Sequence, residues 1–123
     1  MITLAERDAS TPYGKQLQSA GDGPVTLINT FVAPEGKTEE ALAAWQEDAA
    51  YVKSRPGFIS AQLHQGIAGS RVLANIAVWE SAAHLRAAFS APEFGAGLER
   101  YPDGTVAYPH LMEKVAVPGI CVA

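Results

Sequence analysis

Asn75 and Trp79 stand four residues apart in the run VLANIAVWE, a spacing that puts both side chains on one face of a strand. Either they present an amide and an indole N–H to a ligand, or Asn75 is a satisfied polar group of the core and Trp79 anchors the strand's end. Asn29 falls mid-strand in VTLINTFVA, where propensity disfavours asparagine, and shares a face with Leu27 and Phe31. It can serve a ligand or bond an adjacent loop. His64 closes the next extended run. An imidazole there can accept a proton, or it is a hydrogen-bonded surface group.

Other chemistries find no motif. His84 and His110 are isolated, and no spacing among the histidines, Cys121 and the acids is that of a metal site. There is no Ser-His-Asp arrangement, no phosphate-cradling glycine loop and no GxGxxG after a strand, so neither flavin nor nicotinamide is implied. The expected cofactor is none.

Positioning these residues takes a sheet. Residues 1–24 are polar, carry Pro12, Gly14, Gly21, Gly23 and Pro24, and lack sustained periodicity. They read as an N-terminal arm that frays or packs on a neighbouring subunit. VTLINTFVA reads as a strand ended by Pro34-Glu35-Gly36. KTEEALAAWQEDAAYVKSR reads as a helix with Ala41, Leu42, Trp45, Ala49 and Val52 on its apolar face. Glu39 and Glu40 suit its positive end, Lys53 and Arg55 its negative end, and Pro56-Gly57 stops it.

Phe58–His64 and Arg71–Trp79 read as a hairpin joined by GIAGS. Ser81 caps a helix carrying Leu85, Ala88 and Phe89. Ser90, Pro92 and Glu93 look like the cap, first-turn proline and capping-box acid of another short helix, which Gly95 and Gly97 weaken. Residues 104–117 are extended, bend at Pro109, and give way at Pro118-Gly119 to a tail over 118–123.

Strand, helix, strand, strand, helix, strand is the split βαβ order, an α+β, ferredoxin-like domain with an antiparallel sheet over residues 25–117. On its third strand Val72, Ala74, Ile76 and Val78 point one way and Leu73, Asn75, Ala77 and Trp79 the other. Both faces are largely apolar, and two helices can cover only one. The other is expected to meet a second copy, making a homodimer.

Composition narrows the partners. With 123 residues, 48% of them hydrophobic and 18% charged, the chain can bury one core. A net charge of −4 with scattered basic residues argues against nucleic acid. No apolar run is long enough for a membrane span, and the start, MITLAERDAS, is not that of a secretory leader. Cys121, the single cysteine, cannot form an internal disulfide. A cytoplasmic location is expected.

The runs PGFISAQLHQG and VLANIAVWESAAHLRAAFSAPEF have PGF opening a strand, a strand ending in N-x-x-x-W-E-S, and a helix closing on F-x-x-P-E-F. With INTFVAPEGK, they resemble the antibiotic biosynthesis monooxygenase family of dimeric α+β barrels, over roughly residues 25–117. One group in that family oxidises phenolic polycyclic compounds to quinones with molecular oxygen and no metal, flavin or haem. Another opens the haem ring, and a third consists of small proteins of unclear activity.

For the quinone-forming group the resemblance implies that Asn75 and Trp79 donate hydrogen bonds to a substrate carbonyl or phenolate. Oxygen reacts with an electron-rich anion, and such donors stabilise that anion away from water. His64 resembles a histidine placed near the substrate, where it could take the acidic proton. Arg100 lies one residue from the place of an active-site arginine and Arg86 is on the preceding helix; either can also be a solvated charge. Asn29 matches a distal-pocket asparagine of the haem-degrading relatives, with Phe31 beside it. The haem reading stops there. Gly97-Leu98-Glu99 stands where the iron-ligating histidine would be, and Ala88 where the haem-ruffling aromatic would be.

The expected activity is a cofactor-independent monooxygenase that converts a small phenolic or anthrone-like aromatic to a quinone with molecular oxygen. The alternative is a non-catalytic ligand-binding or stress-associated dimer of the same fold. An isomerase or decarboxylase on the same scaffold is a third reading.

Overall fold

A computed structural model describes residues 2–19 and 21–123. Its order is β1 (Thr3–Leu4), α1 (Tyr13–Leu17), β2 (Val25–Val32), α2 (Thr38–Val52), β3 (Phe58–Gln65), β4 (Val72–Trp79), α3 (Ala82–Phe89), α4 (Pro92–Leu98) and β5 (Val106–Met112). The sheet runs β1-β5-β2-β4-β3, antiparallel except for the β1/β5 pair. Without β1, this is the strand arrangement of the ferredoxin-like α+β fold. No helix among the described residues is long and apolar enough to cross a membrane.

Strand alternation divides the sheet as the sequence predicts. Leu73, Ala77 and Trp79 are buried under the helices, whereas Ile76 on the other face is exposed. The β3/β4 turn places Ala68 and Gly69 both at positive φ, matching the twist of the hairpin. Ser81 caps α3 by accepting from the His84 N–H.

Four expectations need correction. The buried face of α2 is Ala41, Ala44, Asp48 and Val52, and Leu42 is exposed. Small alanines let α2 approach Phe31 and Leu73 closely, so the helix is rotated away from its larger aliphatic residue. Ser90 ends α3 instead of capping α4: its hydroxyl donates to the Arg86 carbonyl, and Ala91 precedes Pro92 as an N-cap without a side-chain bond. The last strand passes through Pro109 and stops at Met112, short of residue 117, after which Val117 and Cys121 bridge a separate turn.

The fourth concerns the arm, which follows β5 of its own chain. Thr3 and Ala5 donate backbone N–H bonds to Thr105 and Ala107, and the Arg7 Nε donates to the Tyr108 carbonyl. Gln16 then bonds both the N–H and the carbonyl of Leu111. An edge strand's unpaired backbone groups are what the segment satisfies, and Tyr13 anchors it in the core.

Candidate active site

The core is split in two. One cluster gathers Leu27, Ala77, Trp79 and Leu85; the other gathers Phe31, Ala41, Ala44, Leu73 and Ala107. Between them the sheet carries a cross-strand row of Asn75, Asn29 and Pro109, and α2 carries Asp48. A cavity of about 530 Å³ opens at this interruption, bounded by that row, by α2 from Trp45 to Lys53, by Phe58, Phe89 and Phe94, and by Ile2, Leu4 and Tyr13 of the arm. Its size and apolar walls suit a small aromatic ligand.

Asn29 and Asn75 are directly opposed in the β2/β4 register, so their carboxamides share one side of the cavity. Trp79 lies two positions along that face, its ring held edge-on by Phe58 (5.5 Å between centroids) and Phe89 (5.9 Å). Phe89 in turn stacks on Phe94 at 4.4 Å.

Burial has left polar atoms without partners here. Among the described residues, Tyr13 Oη, Asn29 Oδ1, Asp48 Oδ2, Asn75 Oδ1, Trp79 Nε1 and His110 Nδ1 are buried side-chain atoms lacking a hydrogen bond. All of these residues except His110 line the cavity. Buried polar atoms are nearly always satisfied, and each orphan is costly, so their concentration in one apolar cavity leaves hydrogen-bonding capacity there for a ligand or for water. An amide can turn over to offer N–H in place of oxygen, so both asparagines can donate to a ligand oxygen.

Asp48 is the charged member of this group. Burial raises its carboxyl from the usual 3.8 to about 6, and Glu47 adds to the rise; a Tyr101 hydrogen bond and the Arg100 charge oppose it. The Arg100 Nη1 lies 3.8 Å from Asp48 Oδ1, and its Nε is 2.9 Å from Glu47. Burial also raises the Tyr13 and Tyr101 hydroxyls, leaving both as neutral hydrogen-bonding groups.

The other sequence-predicted residues are placed elsewhere. His64 pairs with Ala74, is exposed, and faces away from Asn75. A β-bulge between Phe58 and Ser60 is the cause: it shifts the alternation so that Ala61 and Leu63, not His64, follow Phe58 to the helix side. Phe31 is core, 6.0 Å edge-on from Tyr101, and does not line the cavity. Arg86 holds the arm, donating to the Leu17 carbonyl and Gln18 Oε1. Arg100 does not line the cavity and is paired with Glu47 and Asp48. Sequence reading missed Asp48 and Tyr13. For Asp48 the available signal was its three- and four-residue spacing with Ala41, Ala44 and Val52.

Among the described residues that line the cavity there is no histidine and no cysteine. Among the described residues no three His, Cys, Asp or Glu side chains are grouped as metal ligands would be.

Residues 24–100 match the family profile described as antibiotic biosynthesis monooxygenase. The fold is similar to that of SnoaB, a cofactor-independent oxygenase from Streptomyces nogalater, at 23% identity and a TM-score of 0.71 over 79% of this chain and 98% of that one. It is also similar to a candidate monooxygenase from Shewanella loihica PV-4, at 33% identity and a TM-score of 0.66 over 80% of this chain and 100% of the other. No curated protein gives a significant match.

Proposed function

The chain belongs to the antibiotic biosynthesis monooxygenase family, and on that footing we propose that it is a cofactor-independent monooxygenase oxidising a small phenolic or anthrone-like aromatic to a quinone. The observation that carries this reading is the set of partnerless polar atoms of Tyr13, Asn29, Asn75 and Trp79 around one apolar cavity. They match an aromatic body bearing oxygen at its edge.

In the proposed reaction an acidic C–H of the substrate is ionised. The negative charge moves to the conjugated oxygen, where the Asn29 and Asn75 amides and the Trp79 N–H receive it. The anion passes one electron to dioxygen. Superoxide and the substrate radical combine at the same carbon, forming a C–O bond, and protonation gives a hydroperoxide. Loss of the remaining C–H proton with O–O cleavage releases water and leaves the carbonyl. One substrate and one dioxygen thus become one quinone and one water, with all electrons drawn from the substrate. The protein contributes positioning, exclusion of water and donors fixed before charge develops.

The domain over residues 25–117 supplies the sheet and helices of this site. The molecule works in the cytoplasm as a homodimer joined through the open sheet face, where Ile76 and Met112 are exposed.

Oxygen consumption with dithranol, a dihydroxyanthrone, tests the proposal. Uptake of one dioxygen per quinone, well above the spontaneous rate, is the expected result. Dithranol that binds without accelerated uptake would leave the ligand-binding alternative in its place.

A further inference from the structure

A reaction that begins with C–H ionisation needs a proton acceptor in the cavity, and His64 lies on the opposite face of the sheet. We propose that Asp48 is that acceptor, acting from α2 while the asparagines of the sheet hold the substrate oxygen, with Arg100 and Tyr101 as its positioning residues. This rests on the monooxygenase reading above.

Three features of the geometry support it. Asp48 lines the cavity and its Oδ2 is buried without a partner, so one oxygen is left for a ligand proton. The other oxygen faces Arg100 Nη1 at 3.8 Å, and the Tyr101 hydroxyl bonds the carboxyl, so the group is held in place. Gly97 of α4 lies against Oδ1 so closely that any β-carbon there would overlap it. A buried carboxylate costs stability, and an apolar residue at this point of α2 would join the two core clusters.

The groups facing Asp48 are Glu47 on its own helix, Arg100 and Tyr101 beyond α4, and, across the cavity, Tyr13 and the neutral Asn29, Asn75 and Trp79, with Lys53 at the end of α2. Burial places the carboxyl near 6, where it is ionised at neutral pH yet basic enough to work, and its conjugate acid can give the proton back. Asp48 takes the first C–H proton, returns it to the peroxide oxygen, and takes the second C–H proton as the O–O bond breaks. That last proton leaves with hydroxide as water, so the carboxylate is regenerated.

The test separates proton transfer from oxidation. Under nitrogen in D2O, wild-type protein should exchange the methylene hydrogens of dithranol for deuterium, at a rate that rises with pH to a plateau above about 6. Asp48→Asn should bind dithranol, followed by quenching of tryptophan fluorescence, but exchange it roughly a hundredfold or more slowly and without that inflection. Asp48→Glu should recover part of the rate. Exchange that depends on Asp48 upholds the role even if no oxygen is consumed in air, in which case only the monooxygenase reading falls. Wild-type exchange retained in Asp48→Asn, or no exchange by wild type with dithranol bound, overturns it.

Discussion

Gly97 of α4 meets Asp48 of α2 with no room for a β-carbon between them. Glycine is a poor helix former, and α4 carries two of them in seven residues, so its presence is explained by this approach and not by propensity. In an ordinary helix position Gly→Ala adds about 1 kcal/mol of stability. Here Gly97→Ala should remove about 1–3 kcal/mol through overpacking. Urea denaturation reads the sign directly, and a gain would mean that α4 shifts away at no cost.

The asparagine pair makes a kinetic prediction. Asn75→Ala should lower dithranol turnover on the order of a hundredfold, about 3 kcal/mol, because a donor aimed at developing negative charge acts in the transition state. Since Asn29 is directly opposite, the double variant should lose less than the sum of the two single losses. Turnover per folded molecule that survives Asn75→Ala would assign the amide to structure alone.

Trp79→Phe keeps an aromatic ring between Phe58 and Phe89 and deletes an N–H that lacks a partner. Turnover should fall modestly. The melting temperature should drop less than for Trp79→Ala, which would open a cavity worth roughly 3–5 kcal/mol. If Phe and Ala destabilise equally, the indole N–H has a structural partner that the geometry does not reveal.

Asp48 should tie stability to pH. Folding raises its carboxyl from 3.8 to about 6, so between these values the folded protein binds more protons than the unfolded chain. Stability contributed by this group therefore falls as pH rises through that window and levels off above it. Asp48→Asn should flatten the slope and stabilise the protein at neutral pH by on the order of 1–3 kcal/mol, the rise from 3.8 to about 6 setting the upper end. Melting curves across the window are the measurement. An unchanged slope would place the carboxyl's titration at its ordinary value.

The open face of the sheet should hold two copies together. Sedimentation at micromolar concentration is expected to give a dimer for the wild type and a monomer for Ile76→Lys, which puts a charge on that face. A wild-type monomer would leave the exposed aliphatic residues without the role proposed for them.

Alternation along β4 was enough to put Asn75 and Trp79 on one face, because nothing interrupts the strand between them. The same rule would misplace His64. Counting from Phe58 would put it inside, but the bulge at residues 58–60 reverses the parity, and the preceding Pro56-Gly57 reads only as the stop of α2. On α2 the rotation was misread because alanines, which weigh little in a hydrophobic pattern, occupy the closest contacts. Asp48 was hidden by its type: an acid among Gln46, Glu47 and exposed alanines reads as solvated surface until a neighbouring helix covers it. The arm lacks periodicity because its strand has two residues and its helix five, too few to repeat.

That arm has a consequence for the order of assembly. The Arg7–Tyr108 bond joins residues 101 positions apart, and Tyr13 of the same arm lines the cavity. During synthesis the arm leaves the ribosome well before β5 and must wait, unpaired, until that strand has followed. The hairpin of β3 and β4 can form early from local contacts, carrying Asn75 and Trp79 into place before the pocket around them is closed. The cavity is thus among the last things the chain completes, and a fusion or truncation that delays the arm would give a folded sheet with an open, wet site.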